Sequence, residues 1–155
     1  KNAYPYFEKA AAAGLADAQY AMAQIYETGA DGQAPDLAKA RGYLLQAAKQ
    51  GYDTAALDLG TWMVEGKGGA RSAQSEREGF AWLKRTAEGG NVAAMNRLAK
   101  LYVQGIGAEP NPVDAAAWYM LAHKAGLVDY AMSDYLDGLT DEQLKQATER
   151  STKLR

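Results

Sequence analysis

Few side chains in this sequence have the type and spacing that catalysis or metal binding requires. His123 is the only histidine and cysteine is absent, so the chain lacks both a thiolate nucleophile and the cluster of ligands that a zinc site needs. Tyr119 lies one helical turn before His123 and Leu127 one turn after it, which predicts a packed or partly exposed ring. The alternative is a pH-sensing role for His123, because histidine titrates near neutrality.

Two further segments invite a ligand-binding interpretation, and their spacing argues against it. Residues 67–72 are rich in glycine, but a phosphate-binding loop places lysine directly before serine or threonine at a helix start. The carboxylates near the C-terminus lack the alternating ligand order and the central glycine of a calcium-binding loop. We therefore predict no catalytic residues, no metal ligands, no cofactor and no enzymatic activity. The C-terminal carboxylates are Asp129, Asp134, Asp137, Asp141 and Glu142.

The composition excludes several classes of partner. The chain has 155 residues, is 48% hydrophobic, and carries a net charge of −2 with a pI of about 5.4. It can bury an ordinary core, whereas it has no overall positive potential that would attract nucleic acid or anionic lipid. No apolar run is long enough to span a bilayer. We therefore expect neither nucleic-acid binding nor direct membrane insertion.

Glycines at a nearly constant interval organise the sequence. Gly14, Gly51, Gly90 and Gly126, here called the period glycines, are separated by 37, 39 and 36 residues. Each of the first three is followed by an apolar–small pair and then by a closing glycine. This period is typical of a solenoid, in which one helix pair cannot bury its own apolar face. We therefore predict an all-α fold, an α-solenoid of antiparallel helix pairs. The pairs and closing glycines are Met22-Ala23 with Gly29, Leu59-Gly60 with Gly66, and Leu98-Ala99 with Gly105.

Amphipathic stripes and capping residues predict the bounds of the helices and repeats. The domain prediction is a partial repeat at 1–14, repeats at 15–51, 52–90 and 91–126, and C-terminal capping helices at 127–155. The chain is thus expected to begin inside a helix pair. Thr140 and Gln143 form a capping-box signature for the last helix, which runs to about Lys153. The other predicted helices are 15–28, 36–50, 52–65, 75–88, 91–104, 112–125 and 129–137.

The repeated positions resemble Sel1-like repeats, which are related to tetratricopeptide repeats. The resemblance extends from Tyr4 to Gly126; Met63 departs from it, because an aromatic residue is usual there, and so does His123, because the other repeats have alanine. It implies a non-enzymatic adaptor that binds a protein or peptide. The positions that carry it are Ala55 and Ala94, the apolar–small pairs, Tyr26 and Tyr102, the closing glycines, the run 36–40, and Trp118-Tyr119 before Ala122.

Residues 127–155, with the run 139–143, resemble the ends of some α-proteobacterial periplasmic Sel1 proteins. Members of that group restrain a membrane sensor kinase that controls exopolysaccharide production and motility. The resemblance implies a periplasmic signalling regulator whose partner is the periplasmic domain of a sensor kinase; a cytoplasmic location is the alternative. A second alternative is an envelope or host-interaction scaffold that binds a peptide or a carbohydrate in the concave groove.

The partner is expected in a concave groove lined by the first helix of each pair. Apolar residues on a solvated face indicate a partner surface, and Leu57 and Val64 are such residues. The alternative is that both pack against a neighbouring helix. The groove residues predicted by analogy with tetratricopeptide geometry are Tyr20, Gln24, Glu27, Leu57, Thr61, Val64, Asn96, Lys100 and Val103.

The aromatic residues are mostly predicted to pack in the core. Trp82 and Trp118 occupy the same repeat position as Tyr6 and Tyr43. The N-terminal end of the solenoid is expected to be uncapped and apolar. We therefore expect self-association through three aromatic residues, Tyr4, Tyr6 and Phe7.

Overall fold

A computed structural model describes residues 3–154. Within this range the chain forms α-helices joined by loops and contains no strand, which confirms the all-α prediction. The helix bounds lie within one or two residues of those predicted. The helices are α1 (Tyr4–Ala12), α2 (Ala16–Thr28), α3 (Leu37–Lys49), α4 (Asp53–Glu65), α5 (Ala73–Glu88), α6 (Val92–Gln104), α7 (Pro112–Lys124), α8 (Tyr130–Asp137) and α9 (Asp141–Ser151).

Helix α5 begins two residues earlier than predicted. Its start follows from Ser72, whose Oγ accepts a hydrogen bond from the N–H of Ser75 at 3.0 Å. Ser72 thus caps the first turn in the way that serine commonly does. The prediction placed the start at Ser75, whose own hydroxyl instead bonds back to the carbonyl of Ser72.

The chain divides into two compact units, Lys1–Gly79 and Phe80–Arg155. In the first unit, α2 packs against α1 and α3, and α3 packs against α4. In the second unit, α7 packs against α6, α8 and α9. Each unit therefore contains antiparallel neighbours that bury the apolar stripes of their helices.

The closing glycines end the first helix of each pair. Gly29, Gly66 and Gly105 have φ of 77°, 80° and 71°, a region that residues with a Cβ rarely adopt. The N–H of each bonds to the carbonyl four residues earlier, so the last turn of the helix is satisfied. The glycines found in the repeat pattern are therefore helix C-caps.

The repeat core consists of large side chains packed beside small ones. Met22, Leu59 and Leu98 are fully buried, as are their small neighbours Ala23 and Ala99. Burying a side chain of the size of leucine stabilises a fold by about 1.5 to 3 kcal/mol. The apolar–small pairs therefore account for the tight approach of neighbouring helices.

The last helix covers α7, as predicted for a cap. Ala116, Ala117 and Ala147 form a buried cluster between α7 and α9. The Arg150 Nε donates to Asp114 Oδ1 at 2.9 Å at the edge of this contact. The predicted capping box of Thr140 and Gln143 is present in full and fixes where α9 begins.

Tyr6 and Trp118 share a repeat position but differ in burial. Trp118 is 1% exposed and Tyr6 is 70% exposed. Helix α7 is packed against three helices, whereas α1 packs against α2, so the same helix face is covered in one repeat and open in the other. Tyr43 is intermediate, because its ring is half-buried and stacks on Tyr26 with the ring centroids 6.0 Å apart.

Candidate functional site

In the first unit, four of the predicted binding residues lie at the surface of α2 and α4. Tyr20, Leu57 and Thr61 are half-buried and Gln24 is exposed. Tyr20 and Gln24 are one helical turn apart on α2, as are Leu57 and Thr61 on α4, so each pair lies on one face of its helix. We call this surface the α2–α4 face.

Val64 does not belong to this surface. It is 8% exposed, and a Cβ added at Gly79 of α5 would lie 2.7 Å from its Cγ2. Because Gly79 has no side chain, α5 approaches closely enough to cover Val64. The prediction of Val64 as a groove residue is therefore wrong, and its alternative, packing against a neighbouring helix, is correct.

Tyr20 is held in place by two neighbours, Asp58 on α4 and Tyr52, which directly precedes α4. Its hydroxyl donates to Asp58 Oδ2 at 2.9 Å, and its ring centroid lies 5.4 Å from that of Tyr52. Burial and the bond to Asp58 raise the pKa of Tyr20 well above its usual value. Tyr20 is therefore a neutral, fixed hydrogen-bond donor, and the two rings form an aromatic platform that is partly open to solvent.

Glu27 forms an ion pair with Lys67, a contact that the repeat pattern does not predict. The Lys67 Nζ lies 2.7 Å from Glu27 Oε2 and 4.5 Å from the ring centroid of Trp62. The Arg41 Nη1 donates to the carbonyl of Lys67 at 3.3 Å. The glycine-rich loop at 66–72 is thus attached to α2, α3 and α4, and Lys67 neutralises the charge of Glu27.

In the second unit, Asn96 and Lys100 converge on one carboxylate. The Asn96 Nδ2 lies 2.9 Å from Asp129 Oδ2, and the Lys100 Nζ lies 2.6 Å from the same oxygen. The other oxygen of Asp129 accepts from the N–H of Met132 at 3.1 Å and caps α8. We call Asn96, Lys100 and Asp129 the Asp129 cluster. It fastens the start of α8 to α6, so these two predicted groove residues make intramolecular contacts.

Tyr119 reinforces this junction from α7. Its hydroxyl lies 2.9 Å from the hydroxyl of Ser133 and 3.1 Å from the backbone N–H of Asp129, for which it is the acceptor. In the sequence, Asp129 is one of five C-terminal carboxylates that lack the order of a calcium-binding loop. The signal for its structural role was its place at the start of the predicted helix 129–137. An aspartate at that N-cap position commonly accepts a hydrogen bond from the N–H three residues later, here that of Met132. Val103, the remaining predicted groove residue of this unit, is half-buried.

The two partners hold Asp129 in its charged form. Hydrogen bonds from Asn96 and then from Lys100 lower the pKa of Asp129 from 3.8 to about 2, and the side chain is 14% exposed. Because the pKa is lowered on folding, the cluster stabilises the folded state fully above about pH 4. This contribution is lost as the pH falls from about 4 towards 2.

We expect the substitution Asp129→Asn to flatten the acid limb of the stability curve. Between about pH 6 and pH 2.5, the wild-type chain should lose about 1 to 2 kcal/mol more of its free energy of unfolding than the variant. This expected difference in free energy is small because about half of the Lys100 side chain is exposed, and solvent screens an exposed ion pair. Urea unfolding followed by circular dichroism measures both curves, and Lys100→Gln should give an intermediate slope. Parallel curves for wild type and Asp129→Asn would contradict the cluster.

His123 is exposed beside a cleft between α7 and α8. Its ring centroid lies 5.7 Å from that of Tyr119, and the cleft has a volume of about 310 Å³. A pH-sensing role for His123 stays a prediction.

Among residues 3–154, no three His, Cys, Asp or Glu side chains come together in a way that could hold a metal ion. No helix in that range has the length and apolar character needed to cross a membrane.

The N-terminal aromatic residues differ in exposure. Tyr6 is exposed, whereas Phe7 is half-buried and the hydroxyl of Tyr4 lies 2.8 Å from that of Tyr26. Self-association through these residues stays a prediction, and Tyr6 offers the largest exposed surface for it.

Comparison with protein families gives a match along most of the chain. The family model described as the Sel1 repeat matches residues 1–15, 16–52, 54–91 and 92–127. The chitin synthase regulator SKT5 of Saccharomyces cerevisiae is 34% identical over 119 residues, which make up 77% of this chain and 17% of that protein. Chitin synthase regulatory factor 3 of Schizosaccharomyces pombe is 30% identical over 120 residues, 77% of this chain and 13% of that protein. The chain thus spans a small part of these relatives.

Two solved structures share the fold. A Sel1 repeat protein from Oxalobacter formigenes matches 94% of this chain and 63% of its own with a TM-score of 0.77 and 26% identity. The protein c5321, a protective antigen present in uropathogenic Escherichia coli strains and displaying an SLR fold, matches 97% of this chain and 40% of its own with a TM-score of 0.57 and 25% identity. These likenesses confirm the predicted α-solenoid of helix pairs.

Proposed function

The chain belongs to the Sel1 repeat family, and from that premise we propose that it is a non-enzymatic adaptor that binds a protein partner. Repeats of this family form a protein-interaction scaffold. The observation that carries the proposal for this chain is the α2–α4 face of the first unit. Tyr20, Leu57 and Thr61 remain partly exposed there, although core packing does not require large side chains at these positions. Partly exposed apolar and aromatic groups on a rigid helix face are typical of partner surfaces.

We further propose that the adaptor regulates the synthesis of a cell-surface polysaccharide. Two curated relatives are named as regulators of chitin synthase, which supports a regulatory role over a polysaccharide synthase or its control system. The resemblance of residues 127–155 to periplasmic regulators favours one partner, the periplasmic domain of a membrane sensor kinase. In this proposal the adaptor lies in the periplasm and holds the kinase inactive. The kinase in turn controls exopolysaccharide production and motility.

The substitution Leu57→Ser combined with Gln24→Ala should weaken partner binding about tenfold, because an apolar anchor and a neighbouring polar contact are removed together. The measurement is biolayer interferometry with the periplasmic domain of the sensor kinase as the probe. The control for the leucine substitution is Leu37→Ser, which places serine at an exposed leucine position on the second helix of the pair. Val64 is unsuitable for this test because it is buried. Its substitution would destabilise the fold, and weaker binding would then not report on the surface.

The outcomes separate the broad proposal from the specific one. Binding that is about tenfold weaker in the double variant and unchanged in Leu37→Ser supports both the α2–α4 face and the kinase. Equal binding by all three proteins would move the interface away from this face. If the wild-type chain does not bind the kinase domain, the kinase proposal is rejected.

A further inference from the structure

Within the first unit, α2 and α4 differ sharply in charge from α3. Helices α2 and α4 together contain five carboxylates and no lysine, arginine or histidine. Helix α3, which lies between them in the sequence, contains Lys39, Arg41 and Lys49 and no carboxylate. The whole chain has a net charge of only −2, so the overall composition does not account for this separation. The five carboxylates are Asp17, Glu27, Asp53, Asp58 and Glu65.

The exposed carboxylates share the α2–α4 face with its aromatic and apolar residues. Asp58, Thr61 and Glu65 follow each other at spacings of three and four residues, which places them on one side of α4. Asp17 and Glu65 are exposed and Asp58 is half-buried. Lys67 lies near this face but is engaged by Glu27. The face therefore combines a negative potential with the partly open rings of Tyr20 and Tyr52.

We propose that the α2–α4 face binds a basic peptide segment of the partner, one in which arginine or lysine alternates with an apolar residue. The inference rests on the proposed adaptor function and names the chemistry that this surface recognises. A guanidinium group can stack on the platform of Tyr20 and Tyr52, since the faces of aromatic rings attract cations. An apolar side chain of the segment lies against Leu57.

Asp58 can bind such a guanidinium without releasing Tyr20. A carboxylate has two oxygens and about four lone-pair sites, and the hydroxyl of Tyr20 occupies one of them on Oδ2. Asp58 is therefore fixed by Tyr20 and still able to accept, while the exposed Asp17 and Glu65 extend the negative surface to either side. Complementary charge of this kind raises the association rate and selects among partners.

The test uses a short fluorescein-labelled peptide of alternating arginine and leucine, and a counterpart in which citrulline replaces every arginine. Citrulline preserves the shape of arginine and removes its charge. Fluorescence anisotropy at physiological ionic strength should show saturable binding of the arginine peptide to the wild-type chain. The citrulline peptide should bind about tenfold more weakly, since several exposed charge contacts are lost together.

A charge-matched pair of variants locates the site. Asp17→Asn, Asp58→Asn and Glu65→Gln combined should weaken binding of the arginine peptide about tenfold, and the amide that replaces the Asp58 carboxylate can still accept from Tyr20. The control combines Asp134→Asn, Asp137→Asn and Glu149→Gln, which changes the net charge equally at exposed positions in the second unit, and should bind like wild type. Equal weakening by both variants, equal binding of both peptides, or no saturable binding to wild type would overturn the proposal.

The same variants distinguish this inference from the proposed function. If the kinase domain binds the wild-type chain and the first-unit variant equally, the basic-segment proposal falls and the adaptor function stands. If the arginine peptide binds more tightly than the citrulline peptide and the kinase domain does not bind, the basic-segment proposal is supported and the kinase proposal is rejected.

Discussion

The substitution Trp118→Ala should lower the free energy of unfolding by about 3 to 5 kcal/mol. Trp118 is 1% exposed and lies on α7, which is packed against α6, α8 and α9. Removing the indole leaves a cavity that this close packing cannot fill by local relaxation, so the lost transfer energy and the cavity add. Urea unfolding followed by far-UV circular dichroism measures the loss.

Trp82 provides the matched control, because it occupies the same repeat position. Each of these two tryptophans stands eight residues before a period glycine, yet Trp82 is half-buried and the Arg85 guanidinium lies 4.9 Å from its ring centroid. Trp82→Ala removes less buried surface and should lower the free energy of unfolding by about 1 to 2 kcal/mol. Equal losses in the two variants would show that repeat position, rather than local covering, determines the contribution of the ring.

This pair shows what the sequence could predict of the fold. The repeat pattern gives the helix type, the helix ends and the face that each position occupies, because these depend on residues close together in the chain. Burial depends on which other helix covers that face. Tyr6 and Trp118 share a repeat position and differ from 70% to 1% exposure. Such a difference is set by how many other helices pack on that face, which the repeat position alone does not specify.

The candidate site has the same limit. The assignment of Tyr20, Gln24, Leu57 and Thr61 to a solvent face came from the analogy with tetratricopeptide geometry. The contact of Asn96 with Asp129 joins residues 33 positions apart, and no periodicity relates the two. The contact of Glu27 with Lys67 joins residues 40 positions apart. The repeat pattern therefore contains no signal for the long-range partners that neutralise parts of this surface.

The substitution Gly79→Ala should lower the free energy of unfolding by about 1 to 3 kcal/mol, although alanine favours a helix more than glycine does. A Cβ at this position would lie 2.6 Å from the carbonyl oxygen of Gly60, 2.7 Å from Val64 Cγ2 and 3.0 Å from the Val64 nitrogen. Two of these atoms belong to the backbone of α4 and cannot rotate away. The methyl group must therefore push α4 and α5 apart, which also opens the contact that buries Val64.

The repeat register alone would predict the opposite result. Counted back from the next period glycine, Gly79 stands where the other repeats have Ala40 and Ala115, and both alanines are fully buried. The facing α4 position differs in the same way, since Gly60 stands where Ala23 and Ala99 stand. This repeat thus has glycine at both positions and the others have alanine at both. The pair, rather than either residue alone, explains how closely α4 and α5 can approach.

Gly42→Ala is the control that separates this packing effect from helix propensity. Gly42 lies inside α3, and a Cβ there would have no heavy atom within 4 Å. Alanine should therefore raise the free energy of unfolding by about 0.5 to 1 kcal/mol. Urea unfolding of both variants should give shifts of opposite sign. If Gly79→Ala also stabilised the chain, α4 and α5 would have to separate without loss, and the paired glycines would have no role in setting their distance.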